Sequence, residues 1–297
     1  MPGIVIVTYN SAEVIEACLE GCLRLPGAQV VVVDNASADG TGKKLQGRRD
    51  IGLIANSRNA GFAAAVNQGF SALASEAILV LNPDAVPVAG IQALEKAVLS
   101  GNVGAATGKL VGADGLEQHG FNVRALPTAS TLVFEVLGLN RVWPGNPVNR
   151  RYRQRAPQTE ADVEQPAGAF LMVRRSAWQK IGGFDESFFP IWFEDVDFCQ
   201  RLRGAGYRIR YVPEAEAQHQ GGHSASKLSW QERQLFWYGS LLRYASKHMA
   251  TAPRRGVGLA VLLASVLRGI AAVPKKGIRQ PFAAYSKVVR LAGRCLR

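Results

Sequence analysis

Over the first 110 positions, short and nearly unbroken apolar runs alternate with stretches whose apolar residues recur every three or four places. The run GIVIVTYN ends in polar residues, and AEVIEACLEGCL after it puts Val14, Ile15, Cys18, Leu19 and Cys22 at helical spacing. QVVVVDN predicts a second buried strand and ASADGT a turn. IGLIANS, AILVLNPDA and VGAATGKLV predict further strands, and FAAAVNQGFSALAS and AGIQALEKAVLS predict helices. Strands that alternate with helices and are apolar on both faces belong to a doubly wound α/β sheet, expected here to be mostly parallel.

Polar residues gather where these strands end: Thr8-Tyr9-Asn10, Asp34-Asn35, Asn59 and Asn82-Pro83-Asp84. The carboxyl edge of an open α/β sheet is where ligands bind. Each cluster taken alone is also ordinary turn chemistry, since Asn, Asp and Gly supply turns anyway. Residues 112–165 are less regular and rich in Pro, Asn and Arg, and read as a long excursion from the sheet. GAFLMVRRSAWQKIGGF returns to a strand and a helix, GYRIRYVPEAEAQH reads as an edge-like strand, and the chain is helical from Ser229 onward.

Charge changes the picture of the tail. The chain has 35 Lys and Arg against 23 Asp and Glu. Twelve of the bases follow position 240, and the last acid is Glu232. The preceding part is therefore neutral, which argues against a nucleic-acid partner. The tail also holds GVGLAVLLASVLRGIAAV, residues 256–273, with Arg254-Arg255 and Lys275-Lys276 on its flanks. A bilayer span needs about 20 apolar residues. This run is slightly short and interrupted by Arg268. It predicts an amphipathic helix on an anionic membrane surface, with a packed core helix as the alternative. The cysteines, Cys18, Cys22, Cys199 and Cys295, show no C-x-x-C or zinc spacing, and Cys18 and Cys22 are expected to pack rather than bridge. Reduced thiols fit a cytoplasmic enzyme. The chain starts directly with a strand, so no signal peptide is expected.

Seven pieces in order, VTYN, VVDNASADGT, NAGFAAAVNQG, LNPDA, GAFLMVRRSAWQKIGGFDESFF, FEDVDFCQRLRGAGY and HQGGHS, resemble family 2 glycosyltransferases of the GT-A fold, and more narrowly bacterial rhamnosyltransferases. The resemblance covers most of the first 250 residues. It implies a Rossmann-like GT-A catalytic domain over 1–235, with a nucleotide-binding half at about 1–110 and an acceptor half at about 111–235. Basic, amphipathic, membrane-associating helices over 236–297 would follow. It further implies that Thr8, Tyr9, Asn10, Asp34, Asn35, Ser37, Asn59, Gly61 and Asn82 hold the nucleotide. Asp34 would accept the imide N–H of uracil or thymine, although a strand-end Asx turn is the other reading of that residue.

LNPDA raises the metal question. A divalent cation would neutralise the departing diphosphate. Where many GT-A enzymes have Asp-x-Asp, this chain has Asn82-Pro83-Asp84, with a single carboxylate. The resemblance implies Asp84 and His219 as ligands of Mg²⁺ or Mn²⁺; His223 matches the pattern less well.

FEDVDFCQRL sets Glu194, Asp195 and Asp197 among aromatics. Inverting transfer needs a base to take the acceptor's proton, and the family's base maps to Asp195 with Glu194 beside it. Acids at a helix start also offset the macrodipole, so capping remains a second reading. Asp197 is placed to pair with Arg201 one turn on. Gly168, Asp185, Trp192 and Arg124 are assigned to the sugar and acceptor pocket, with Arg150, Arg151 and Arg153 competing with Arg124 for an acceptor phosphate. Phe184, Phe188, Phe189 and Trp192 either face a pyranose or fill the core.

The expected activity is transfer of a sugar, foremost L-rhamnose from dTDP-rhamnose, to a lipid-linked saccharide in cell-envelope polysaccharide synthesis. It would act in the cytoplasm, peripherally on the inner face of the membrane. Galactofuranosyl or UDP-hexose transfer, and a non-catalytic nucleotide-sugar-binding module, are the alternatives.

Overall fold

The computed structural model describes residues 2–297, the side chains of His223 and Ser224 excepted. In chain order the first elements are β1 (Gly3–Thr8), α1 (Ile15–Leu23), β2 (Gln29–Asp34), α2 (Thr41–Leu45), β3 (Gly52–Ala55), α3 (Phe62–Ala72), β4 (Ala77–Leu81), β5 (Ala85–Ala89), α4 (Ile91–Val98) and β6 (Val103–Val111). The middle of the chain forms β7 (Val123–Arg124), α5 (Ala129–Leu137), α6 (Leu139–Val142), α7 (Pro147–Tyr152), β8 (Ala161–Asp162), β9 (Gln165–Pro166), β10 (Phe170–Arg174), α8 (Arg175–Lys180) and α9 (Glu194–Gly204). The last elements are β11 (Arg208–His219), α10 (His223–Ser226), α11 (Trp230–His248), α12 (Thr251–Lys276) and α13 (Arg279–Cys295).

The chain divides into two units. The first comprises 1–125, 154–190 and 194–227; the second comprises 126–153, 191–193 and 228–297. The segment 126–153, assigned from sequence to the acceptor half of the catalytic domain, thus belongs with the C-terminal helices.

The first unit is built on one sheet in the order β3-β2-β1-β4-β10-β6-β11-β5. Strands β3, β2, β1 and β4 are parallel and in register, with Thr8 opposite Asp34 and Asp34 opposite Ala55. Their carboxyl ends therefore share one edge. Beyond β4 the sheet is mixed: β10 runs antiparallel to both β4 and β6, and β11 is parallel to β6 but antiparallel to β5. The expectation of a mostly parallel sheet thus describes the first half alone. The difference arises because β10 returns from the irregular middle and enters between two strands already laid down. Strand β5, directly after Asp84, is the short run AVPVA, whose strand signal is weakened by Pro87.

Another correction concerns β11. Its alternation of polar and apolar residues reads as an edge, yet it lies between β6 and β5 and also pairs with β8. Ile4, Ile6, Leu79, Leu81, Phe170 and Met172 form the heart of the core on one face of the sheet. Cys18 and Cys22 pack there as free thiols.

In the second unit, α12 packs on α13 and α5, and α11 packs on α13. Side chains start these helices. Thr128 caps α5, Asn146 caps α7 with Pro147 in its first turn, and Ser229 and Glu232 form a reciprocal capping box on α11. Helix α12 buries its small face, Val257, Gly258, Ala260, Val261, Ala264 and Ser265. Leu259, Leu263, Val266, Leu267 and Ile270 lie on the other face, each more than half exposed. By length and composition α12 could cross a membrane, with mean hydropathy 2.1, and a third of that window (33%) is buried.

Candidate active site

The parallel half of the sheet brings Thr8, Asp34 and the 56–61 loop together. Thr8 Oγ1 donates to Asp34 Oδ1 at 2.8 Å, and Ser37 donates to the same oxygen through its hydroxyl and to Oδ2 through its amide, the latter at 3.2 Å. Asp34 is thus a strand-end turn residue. A carboxylate oxygen accepts two hydrogen bonds, so Oδ2 keeps room for another donor. Asn10, at φ 54°, donates its amide to Ser37 Oγ and accepts from Ala38 N, each at 2.8 Å. Tyr9 is half-buried beside it, and its amide points to Ser11 Oγ.

Asn35 is buried and acts as a clamp. Its Nδ2 donates to Gly61 O at 3.2 Å, while Oδ1 accepts from Asn56 Nδ2 at 2.9 Å and Ala60 N at 3.3 Å. Asn59 turns its own loop by accepting from Gly61 N at 2.8 Å. Gly61 takes φ 89°, and a Cβ there would sit 2.9 Å from Phe189, so no other residue fits. Sequence reasoning missed Thr41, Asn56, Gln68 and Asn67. Asn67, on α3, bonds Trp178, the amide and carbonyl of Phe184, and Glu186, and so ties the GGFDE loop to the helix. A polar residue on the apolar face of a predicted helix was the available signal.

Asn82 presents a carboxamide that has no partner among the described residues; its carbonyl accepts from Ala85 N at 3.0 Å. Asp84 is buried and accepts from Gly221 N at 3.2 Å. His219 Nε2 lies 3.4 Å from Asp84 Oδ1, outside hydrogen-bond geometry. The other ring nitrogen, Nδ1, pairs with Gln118 Oε1 at 2.8 Å, while Gln118 Nε2 donates to His219 O at 2.7 Å. That assignment leaves the proton on Nδ1 and a lone pair on Nε2. Phe121 stacks on the imidazole at 5.2 Å. A buried imidazole nitrogen and a carboxylate oxygen facing each other at 3.4 Å are donors of the kind a divalent ion takes, so these two residues fit one. Among the described residues, no third His, Cys, Asp or Glu joins them. The side chain of His223 lies outside the described residues.

The acids of FEDVDF occupy the first turn of α9 and part company. Asp197 is fully buried and receives Arg201 Nε at 2.7 Å, while Arg201 also donates to Ile181 O. Glu194 is buried, and its Oε2 has no hydrogen-bond partner among the described residues. Burial first, and then the charge of Asp195, push its carboxyl well above the usual range. Asp195 is half-buried. Its Oδ1 accepts from Val196 N at 2.8 Å, and Oδ2 from Gly168 N at 3.0 Å and Gln165 Nε2 at 3.5 Å. A Cβ on Gly168 would come 3.1 Å from the Asp195 side chain, so glycine permits the approach. Burial raises the Asp195 carboxyl, and the Gly168 amide and the Arg124 cation hold the rise in check. Arg124 itself donates to Gly120 O at 2.7 Å and lies over Phe121.

Asp185 accepts from Ser187 N at 2.9 Å and shapes its own turn. Phe184 and Phe188 are core residues, and Phe184 stacks on Phe198 at 4.2 Å. The sugar-facing alternative therefore fails for these two rings, whereas Phe189 is exposed and Trp192 half-buried. Trp192 and Phe193, in the second unit, take φ 79° and 68° immediately before Glu194. Two bulky residues in the left-handed region cost about 1–3 kcal/mol each, and such residues cluster at functional sites.

The family model for glycosyl transferase family 2 matches residues 3–181, and that for glycosyl transferase family group 2 matches 157–286. The chain belongs to glycosyl transferase family 2. Within that family it is rhamnosyltransferase-like. It is 33% identical over 247 residues to N-acetylglucosaminyl-diphospho-decaprenol L-rhamnosyltransferase of Mycobacterium tuberculosis, covering 75% of this chain and 77% of that protein. It is 29% identical over 126 residues to the rhamnosyltransferase WbbL of Escherichia coli, covering 40% and 44% of the two chains. The mannosyltransferase of Pyrobaculum calidifontis, solved with GDP-Man and Mn²⁺, aligns over 99% of this chain and 86% of its own. Its TM-score is 0.55 at 16% identity, a likeness that shows the GT-A fold. This family 2 protein is thus a glycosyltransferase of the GT-A fold with a C-terminal helical extension.

Proposed function

We propose that this glycosyltransferase moves L-rhamnose from dTDP-rhamnose, with inversion, to a saccharide on a lipid diphosphate, and that it works at the cytoplasmic face of a membrane. The observation that carries the mechanism is Asp195: a half-exposed carboxylate with both oxygens aimed by backbone amides. The acceptor hydroxyl attacks the anomeric carbon as Asp195 takes its proton, and the nucleotide diphosphate leaves from the opposite side. Burial and the charge of Asp195 push the carboxyl of Glu194 up, and its buried Oε2 has no hydrogen-bond partner among the described residues. Both features favour Asp195 over its neighbour as the base. Asp34 Oδ2, which keeps room for a donor, and the Asn82 carboxamide would bind the nucleotide. Asp84 and His219 would hold Mg²⁺ or Mn²⁺, which supplies countercharge to the leaving diphosphate.

The lipid-linked acceptor and the rhamnosyl donor rest on the Mycobacterium tuberculosis relative, whose name states both the sugar and the acceptor. The test is a donor screen with purified protein and an N-acetylglucosaminyl-diphospho-lipid. dTDP-rhamnose is compared with UDP-hexoses and UDP-galactofuranose, with Mn²⁺, with Mg²⁺ and after chelation. Nucleotide release is expected with dTDP-rhamnose and a divalent ion, and the anomeric proton coupling of the product reports inversion. No release with any donor would sink the reading; release with another donor would reassign the sugar.

A further inference from the structure

The second unit holds a cavity of about 720 Å³ walled entirely by its own residues. Four arginines line it, Arg141, Arg153, Arg233 and Arg268, against a single acid, Glu135. That acid is already engaged, accepting Arg153 Nη2 at 3.0 Å and Asn140 Nδ2 at 2.7 Å. Arg268 reaches in from α12, half-buried, with one bond to Val136 O at 2.9 Å. Arg141 and Arg233 make no ion pair or side-chain hydrogen bond among the described residues. Three guanidinium groups thus converge on a concave wall with most of their donors unspent. Like charges held together in this way favour a multiply charged anion, and planar guanidinium forks match phosphoryl oxygens bidentately.

Two further features narrow the anion. Trp192 and Trp237 stand in the same walls and offer faces to a sugar ring or a hydrocarbon. Between the lining residues Arg141 and Pro144, the chain exposes Val142 and Trp143 at 85% and 61%, large apolar side chains adjacent in sequence to the cationic wall. A soluble nucleotide has no use for such side chains, whereas a diphosphate carrying a lipid does. Trp192 precedes Asp195 by three residues.

We infer that this cavity receives the diphosphate of the lipid-linked acceptor, with Arg141, Arg233 and Arg268 as its donors and Val142 and Trp143 against the first isoprenoid units. The assignment rests on the lipid-linked-acceptor reading given above. It places acceptor recognition in helices outside the nucleotide-binding sheet.

The test uses the full chain and the double variant Arg141→Ala/Arg233→Ala. Both side chains are exposed and unpartnered, so the melting temperature should be unchanged. Farnesyl diphosphate, inorganic pyrophosphate, farnesol and phosphatidylglycerol vesicles are titrated calorimetrically. The wild type should bind farnesyl diphosphate more tightly than pyrophosphate, and the double variant should bind it at least tenfold more weakly. Farnesol and vesicle binding should not respond to the substitutions. Equal affinity of the two proteins for farnesyl diphosphate, or no binding by the wild type, overturns the assignment. So does a parallel loss of vesicle binding, which would make the cavity a phospholipid headgroup site. Turnover separates this from the proposed function. If lipid-diphosphate saccharides are glycosylated with the same KM by both proteins, the cavity fails and the function stands. If no such acceptor is used but the arginine-dependent binding is seen, the function fails and the diphosphate site stands.

Discussion

At the scale of single residues, the chemistry turns on how differently α9 treats its three acids. Asp197 is neutralised by Arg201, Glu194 is buried without a counter-charge, and Asp195 keeps one open side. Asp195→Asn should lower transfer by about 10²–10⁴-fold while nucleotide binding, followed by calorimetry, is retained. Because burial raises the Asp195 carboxyl, kcat/KM should rise with pH through a value above the usual aspartate range and then level off. Arg124 lowers that value, so Arg124→Ala should move the acid limb of the profile to higher pH. A limb that moves down or stays put contradicts the assignment of Asp195. Glu194 gives a prediction about stability. Its folded carboxyl is raised, so as pH climbs above about 4 the unfolded chain ionises first and the fold loses stability until the raised value is passed. Glu194→Gln removes that loss. Its melting temperature should gain on the wild type between pH 4 and neutrality, and a gap that shrinks instead would exclude the buried, unpaired carboxyl.

At the scale of elements, short polar side chains hold the loops at the sheet edge. Asn35 ties the end of β2 to the loop before α3 through three hydrogen bonds. Asn35→Ala strands the Ala60 amide and leaves Gly61 O with the Ala65 amide as its remaining donor, and should cost about 1–3 kcal/mol in a denaturant titration. A change within a few tenths would show that the loop holds itself. Sequence pattern marked Asn35 and Asp34 as turn residues but could not tell that Asn35 reaches across to another loop. Strand β11 teaches the same lesson in a different form. Its exposed Arg208, Glu214 and Gln218 alternate with buried residues, the signature of a half-solvated face. That signature is the same in the middle of a mixed sheet as at its edge, because it reports which face is wet and not which strands are neighbours.

At the scale of the whole molecule, charge and apolar surface are concentrated in the second unit. Helix α12 turns its small residues inward and its large ones outward, the reverse of a helix made for a soluble core. The exposed residues at 259, 263, 266, 267 and 270 follow one helical stripe. With the twelve bases that follow position 240, this supports peripheral membrane attachment. Leu263→Ser/Ile270→Ser should reduce sedimentation with phosphatidylglycerol vesicles about tenfold or more, each lost methylene contributing about 0.8 kcal/mol. Added salt should weaken binding of the wild type as well. Equal binding to neutral and anionic vesicles would remove the electrostatic half of the argument.

What the sequence determined by itself is local in origin. Alternating periodicities specified the α/β layers, apolar runs specified the buried strands, and polar strand ends marked the candidate ligand edge. The order of FEDVDF and LNPD placed the candidate acids. The tertiary structure decided what depends on distant partners. It set β10 antiparallel between β4 and β6, sent Phe184 and Phe188 to the core, and turned Asn67 into a clamp. It brought His219 Nε2 to 3.4 Å from Asp84 across 135 positions of chain and gathered Arg141, Arg233 and Arg268 from three separate helices around one cavity. Propensity acts over a few residues, whereas convergence of side chains is set by register and packing that no single segment encodes.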